Sequence, residues 1–310
     1  MATVSPSSLS RQAVRMDGIL AQFGLSTPAR VIKIYESAWD IDDAYILKTS
    51  KKQAWLDRSI GLSRLLRAEG LPVIEYIPTP DGKPYIFHNE KLWSLMKKIR
   101  GSVMDPFHGN SKENGILLGL SLAKLHKALK NIGGQTDAVD ADFPEEFQSW
   151  ILPALEKNRV SFADGVLSSI ESFFRQAYNA LPRQLIHRDM HPGNLLFENG
   201  ALTGYLDLDL CQKNARVFDI VYLGCSLLVE NYQNETRLTQ WRETFAGILQ
   251  GYSALLPLQK NEIDAIPALF LFDEVLFTAF YANNNQPETA KSCVEMTNWL
   301  YANIAGLVRV

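Results

Sequence analysis

The chain has 310 residues, 31 basic against 34 acidic for a formal charge of −3, with 46% hydrophobic and 21% charged residues. That is ordinary globular composition with room for one large domain or two lobes, and it lacks the cationic field that nucleic acid or an anionic membrane surface calls for. Three widely spaced cysteines, Cys211, Cys225 and Cys293, form neither a Cys-x-x-Cys nor an even disulfide framework, so a reduced, cytoplasmic setting is expected.

The polar, Ser-rich stretch Met1–Gln12 has no apolar core, which argues against a secretory signal and predicts a frayed arm. Its lack of acids before Asp17 keeps a transit-peptide reading open. Met16, Ile19, Leu20 and Phe23 then recur at helical spacing up to Gly24. Short strands are expected over Val31–Tyr35 and Ala44–Lys48, with Glu36–Asp43 as the hairpin loop between them. A helix over Gln53–Ala68 is stopped by Gly70-Leu71-Pro72, and strands over Pro84–His88 and Leu92–Ile99 flank a turn at Asn89-Glu90. Gly101 marks a break. Beyond residue 112 helical patterning dominates, beginning with Leu118, Leu122, Leu125 and Leu129 on one face. Strand-like runs interrupt it at Gln184–Ile186, Leu195–Phe197 and Leu202–Asp207. The apolar stretch Ile266–Ala282 is broken by Asp273 and Glu274 and too short to span a bilayer, so it predicts a buried helix and no membrane role. The expectation is an α+β chain of two lobes around a cleft. A strand-rich lobe runs over 1–100, with arm and helix in 1–29, and a larger helical lobe over 101–310, as a monomer or homodimer.

The segment His187-Arg188-Asp189-Met190-His191-Pro192-Gly193-Asn194 fits the His-Arg-Asp-x-x-x-x-Asn pattern of a kinase catalytic loop. Asp207 follows Asn194 by thirteen residues, at the end of the apolar run Gly204-Tyr205-Leu206. A strand-loop-strand hairpin can bring such residues around one cleft. A carboxylate at 189 is ionised at neutral pH and can accept the proton of an attacking hydroxyl. Asn194 and Asp207 offer one neutral and one anionic hard oxygen to Mg2+.

On these residues the chain resembles the superfamily of aminoglycoside phosphotransferases, choline kinases and type II homoserine kinases. The likeness is strongest from Gln184 to Leu223, and includes Tyr205-Leu206-Asp207-Leu208-Asp209 and Asp219 in Val217-Phe218-Asp219-Ile220. The segment Leu122-Ala123-Lys124-Leu125-His126 resembles the helix after the lobe junction. The resemblance implies a protein-kinase-like fold, with a small antiparallel-sheet N-lobe and a larger, mainly helical C-lobe. It implies an ATP-dependent, Mg2+-requiring O-phosphotransferase acting on a small-molecule hydroxyl of amino-alcohol, homoserine-like or aminoglycoside-like type. Asp189 would be the catalytic base, Asp209 a further acid on the metal, and Lys48 the phosphate-gripping lysine. Ser37 would be a phosphate contact. Met96 and Lys98, in Met96-Lys97-Lys98-Ile99, would lie on the adenine-binding hinge. Asp273, Glu274, Tyr281 and Trp299 would be possible acceptor-pocket walls.

The chain departs from true protein kinases by carrying His191 and Asp209 where those carry Lys and Gly, and by lacking Gly-x-Gly-x-x-Gly and Ala-Pro-Glu. The helix glutamate that normally orients the lysine is also missing; Arg58 and Ser59 stand there, with Asp57 the nearest acid. Two other readings stay open. His187, Asp189 and His191 alternate as His-x-Asp-x-His, a ligand set that suits a metallohydrolase, and a kinase-like fold with a missing glutamate and an acidic loop also fits a nucleotide-binding regulatory protein without turnover.

Overall fold

The computed structural model describes residues 16–307, apart from residues 27, 29 and 230. The arm expected over Met1–Gln12 lies outside the described residues. The described chain forms two compact units: residues up to Ser102 with Leu196–Asp209, and Val103–Leu195 with residues from Leu210 onward. Where the sequence suggests one lobe from 101 to 310, the segment Leu196–Asp209 groups instead with the first unit.

The first unit pairs a helical segment, α1 (residues 16–22), with an antiparallel sheet. Its strands are β1 (Val31–Tyr35), β2 (Ala38–Ile41), β3 (Tyr45–Ser50), β4 (Glu75–Ile77), β5 (Ile86–His88) and β6 (Lys91–Lys97), in the order β1-β2-β3-β6-β4 with β5 also on β6. Helix α2 spans Gln53–Ala68, as its periodicity predicts. Met16, Ile19, Leu20 and Phe23 are each at most 6% exposed and pack on Ile41, Leu47, Ile86 and Leu95. Burying each such side chain stabilises by roughly 1.5–3 kcal/mol, which is why this short amphipathic segment stays on the sheet.

Half of the expected loop Glu36–Asp43 is strand β2, with a turn on either side of it. Its acids hide the pattern, because Asp40 is only 6% exposed yet satisfied: Lys98 Nζ lies 2.5 Å from one carboxylate oxygen and the Asp43 amide donates to the other at 2.9 Å. The turn between β2 and β3 centres on Asp42 and Asp43, both left-handed (φ 54° and 58°), with Ala44 N–H closing on the Ile41 carbonyl at 3.0 Å. Aspartate tolerates that conformation better than most side chains, and a tight hairpin needs it.

The second unit is mainly helical: α3 (Ser111–Ile132), α4 (Phe143–Glu146), which passes through a π-helical turn (Phe147–Ile151) into α5 (Leu152–Lys157), α6 (Val166–Gln176), α7 (Val217–Leu228), α8 (Glu235–Leu255), α9 (Lys260–Asn283) and α10 (Pro287–Leu307). Its strand β7 (Arg183–Ile186) pairs antiparallel with β10 (Gln212–Ala215), while β8 (Leu195–Glu198) and β9 (Ala201–Tyr205), which pair with each other, fall almost entirely in the segment that groups with the first unit. Asn110 and Asn234 cap α3 and α8 by accepting from Glu113 N and Arg237 N at 3.2 and 3.0 Å. These two helices pack backbone to backbone. A Cβ at Gly119 would collide with the Ile248 carbonyl oxygen, and one at Gly251 with that of Ile116. Two Gly-x-x-x-Gly spacings, at 115/119 and 247/251, thus clear the space for the contact.

Candidate active site

In the second unit the chain leaves β7 at Ile186 and turns through His187–Asn194. The turn is held from beneath by Asp219, which is fully buried in the first turn of α7. Its carboxylate accepts from the His187 and Arg188 amides at 2.7 and 2.9 Å and meets His126 Nε2 at 2.9 Å. Tyr252 Oη lies 2.8 Å from the other ring nitrogen, Nδ1, extending the network to α8. Burial alone would raise the Asp219 pKa, but the His126 hydrogen bond and the neighbouring imidazoles and amides outweigh it and hold it below the usual aspartate value. Arg188 takes a left-handed backbone conformation (φ 74°), and its guanidinium pairs with Glu146 at 2.8 Å over the faces of Phe143 and Phe218. That arginine is an anchor for the loop.

Asp189 is thereby presented with its carboxylate fixed on one side. Tyr222 Oη donates to Oδ1 at 2.5 Å, and the Asn194 amide nitrogen donates to the Asp189 carbonyl at 2.7 Å and lies 3.4 Å from Oδ2. The Asn194 amide oxygen, the atom a cation requires, takes no part in those bonds. His191 accepts from Gly193 N at Nδ1 (3.1 Å), with Nε2 3.9 Å from Asp189 Oδ2, while His187 Nδ1 accepts from Asp189 N at 3.3 Å. The alternating His-x-Asp-x-His does not converge: the cluster with metal-ligating geometry among the described residues is Cys225, Asp273 and Glu274. Tyr222 carries no sequence signal of its own beyond its place one helical turn after Asp219.

In the first unit Lys48 lies on β3 with Nζ 3.0 Å from Asp207 Oδ1 and 3.4 Å from Asp209 Oδ2. Burial would lower the lysine pKa, but Asp209 and Asp207 together drive it up, so the ammonium is locked in its charged form. Asp207 itself is left-handed (φ 53°), a conformation costly for a non-glycine residue and concentrated at functional sites. Two carboxylates directed at one cation form a hard, anionic oxygen set, the donor chemistry that suits Mg2+.

Asp57 does not orient Lys48. It is exposed and adds to the burial that raises the Tyr85 pKa, while Lys48 is held by Asp207 and Asp209, and Ser59, on the buried face of α2, lies 2.9 Å from Tyr76 Oη. Burial pushes the Tyr76 hydroxyl up to about 12, and Asp209, Lys48 and Asp207 all act on it. Tyr76 on the unpredicted strand β4 is therefore a neighbour of the charged cluster that sequence spacing did not reveal. Ser37 sits half-buried in the β1–β2 turn, its carbonyl accepting from Thr49 N at 2.8 Å. Met96 is 5% exposed in β6, opposite Ile46 and Tyr76, and Lys98 is taken up by Asp40 and Asp43 through its ammonium and by the Ala44 carbonyl, to which its backbone N–H donates.

Beside Asp189, within the second unit, opens a cavity of about 850 Å³. Tyr222, Phe277 and Tyr281 form an aromatic wall, with ring centroids 5.6 and 6.0 Å apart along the series. Asp273 and Glu274 of α9 line it although they are only 1% and 2% exposed. Burial lifts the Asp273 pKa to about 7 and that of Glu274 well above its ordinary value. Trp299 is not a lining residue itself but packs on one, Tyr232, at 5.2 Å between ring centroids.

Residues 29–258 match the profile of the phosphotransferase enzyme family. A homoserine kinase of Polaromonas naphthalenivorans is 27% identical over 224 residues, which cover 67% of this chain and 64% of that protein. One of Hyphomonas neptunium is 26% identical over 245 residues, covering 75% and 73%. The chain thus spans just under two thirds of the first relative's length and about three quarters of the second's. Among solved structures, an amicoumacin kinase in complex with AMP-PNP and Ca2+ superposes with a TM-score of 0.68 at 14% identity, covering 94% of this chain and 95% of that one. A microcompartment-associated aminopropanol kinase gives 0.66 at 15% identity over 93% and 97%, and the GDP complex of an aminoglycoside 2'-phosphotransferase 0.64 at 16% over 92% and 98%. These neighbours share the kinase-like α+β fold expected from the sequence. No described helix is long and apolar enough to cross a membrane. With the profile match extending over most of its length, the chain belongs to the phosphotransferase enzyme family.

Proposed function

We propose that this protein transfers the γ-phosphoryl group of ATP to a hydroxyl of a small-molecule acceptor, with Asp189 as the base. The carrying observation is the placement of Asp189: its carboxylate is gripped by Tyr222 and Asn194, yet lines an 850 Å³ cavity of the second unit. The acceptor oxygen attacks the γ-phosphorus, the bond from that phosphorus to the β–γ bridging oxygen breaks, and ADP leaves. The hydroxyl proton passes to a carboxylate oxygen of Asp189. Positioning and charge neutralisation supply most of the rate in such transfers.

Asn194 and Asp207, with Asp209 as a further acid, would hold Mg2+, which neutralises charge on the phosphates when bound. Lys48 is already charged and suits the α- and β-phosphates as a point charge. Ser37, at its turn, and the Met96–Lys98 strand end remain the proposed phosphate and adenine contacts. The relatives are named for homoserine and one structural neighbour for aminopropanol, and both kinds of acceptor are small amino compounds bearing a hydroxyl.

Coupled ADP release from Mg-ATP with a panel of hydroxyl acceptors tests the reading. Asp189→Ala should abolish acceptor-dependent turnover, by about a thousandfold or more for a positioned base acting with its proton acceptor lost. Nucleotide affinity, followed by titration calorimetry, should stay within a few fold. Substantial residual transfer in that variant would remove Asp189 from the mechanism. Tight Mg-ATP binding without turnover on any acceptor would favour a regulatory, nucleotide-binding role.

A further inference from the structure

The described lining of the cavity contains four acids, Asp189, Asp273, Glu274 and Glu295, and no lysine or arginine. Its one ionisable base is His191. The arginine that acts on Asp273, Arg188, is already paired with Glu146 and pinned over two aromatic rings. Asp273 Oδ1 is buried with no hydrogen-bond partner among the described residues. A carboxyl group so placed is costly to ionise while it stands alone, and a bound cation would complete it.

On the basis of the phosphotransferase reading above, we propose that Asp273 and Glu274, with the Tyr222–Phe277–Tyr281 wall, bind the ammonium group of the acceptor, and that this acceptor carries no carboxylate. Both carboxyls bring an oxygen within 4.8 Å of each other and of Cys225 Sγ, so although adjacent on α9 they converge on one point of the cavity. An ammonium there meets two carboxyl groups whose raised pKa values a nearby cation brings down, so that binding and ionisation support each other, beside a wall of electron-rich rings that attract a desolvated cation. A metal ion is a poorer occupant. Burial drives the Cys225 thiol pKa well up, so it stays protonated and offers no thiolate. An α-carboxylate, by contrast, would enter a cavity of four acids with no lysine or arginine in its described lining to receive it. That electrostatic exclusion separates amino alcohols from hydroxyamino acids.

A matched set of ligands decides it, because 3-aminopropan-1-ol is L-homoserine without the carboxylate, and 4-hydroxybutyrate is homoserine without the amine. Calorimetric binding to the full chain with Mg-AMP-PNP, and ADP release with Mg-ATP, should both rank 3-aminopropan-1-ol at least tenfold above homoserine, with 4-hydroxybutyrate undetectable. Asp273→Asn and Glu274→Gln should each collapse the preference for 3-aminopropan-1-ol over 4-hydroxybutyrate by tenfold or more. Melting temperatures would verify that both variants fold. Kanamycin as a further arm distinguishes a small amino alcohol from a polycationic sugar as the source of the ammonium; preference for either over homoserine supports the inference. Homoserine binding as well as or better than 3-aminopropan-1-ol, preferences unmoved in both variants, or no binding by any amine would overturn it. Amine binding that depends on Asp273 without any ADP release would preserve the cation site and overturn the kinase reading instead.

Discussion

Asp219 and Asp273 are both aspartates on helices of the second unit, both all but excluded from solvent, and their chemistry runs in opposite directions. Asp219 receives three donors, from His126 and the amides of residues 187 and 188, and its pKa is lowered despite burial. Asp273 keeps an unpartnered oxygen beside a cavity, and burial lifts it to about 7. Burial alone therefore does not tell what a charged residue is for. Saturation separates them: a carboxylate whose lone pairs are filled by its own chain fixes a loop, and one left open has an oxygen still to offer.

The largest expected effect follows from breaking the saturated site. Asp219→Ala strands an imidazole and two backbone amides in the core, and should cost roughly 3–5 kcal/mol in urea denaturation, a large share of a domain's stability. Asp219→Asn keeps an acceptor oxygen and should lose less. Because the native pKa lies below the ordinary 3.8, the stability that Asp219 contributes is fully present above that pH and lost as pH falls through the lower native value. The parent's advantage over Asp219→Asn should therefore shrink in acid. An advantage that does not change with pH would show that the carboxylate's charge is not what holds the loop.

The open site gives the opposite sign. Asp273 is raised from 3.8 to about 7, so the folded state binds its proton more tightly than the unfolded chain. Its favourable contribution is present below about pH 4 and disappears as pH climbs to about 7, an upper bound of roughly 4 kcal/mol from that displacement. Glu274, Cys225, Asp189 and Arg188 share its surroundings, and Glu274 is raised in the same direction. Asp273→Asn is uncharged at every pH. Its melting temperature relative to the parent's should rise between pH 4 and 7 and then level off. A flat difference over that range would show that Asp273 is as well satisfied as Asp219.

The same contrast explains what the sequence made legible. The His187–Asn194 loop and Asp207 stand at spacings fixed by one short hairpin, so a local pattern carries them, and the Leu118–Leu129 stripe and the Gln53–Ala68 helix follow from periodicity alone. Asp40 defeated that logic, since its partner Lys98 lies 58 positions away and a buried acid in β2 reads as a loop. β4 is three residues long, too short to show alternation. The Gly-x-x-x-Gly spacings of α3 and α8 were present in the sequence, but their meaning depends on which two helices meet. Asp273 and Glu274 were visible as acids in an apolar helix. That one Asp273 oxygen is left without a partner is a property of the packed structure and has no sequence signature.

Tyr222 joins the two regions, since its hydroxyl holds Asp189 and its ring walls the cavity. Burial and the Asp189 carboxylate both push its pKa far up, so it remains a hydrogen-bond donor throughout the pH range in which the protein is handled. Tyr222→Phe keeps the ring, the T-shaped contacts with Phe218 and Phe277 and the cavity wall, and removes only the donor. A hydrogen bond to a charged group contributes roughly 1.5–3 kcal/mol, of which a partly exposed carboxylate can recover some from water. The expected outcome is a fall in kcat of about tenfold, with acceptor KM nearly unchanged because the wall is intact. A rise in KM at constant kcat would instead assign the hydroxyl to acceptor binding, and move Tyr222 from the group that positions the base to the group that reads the substrate.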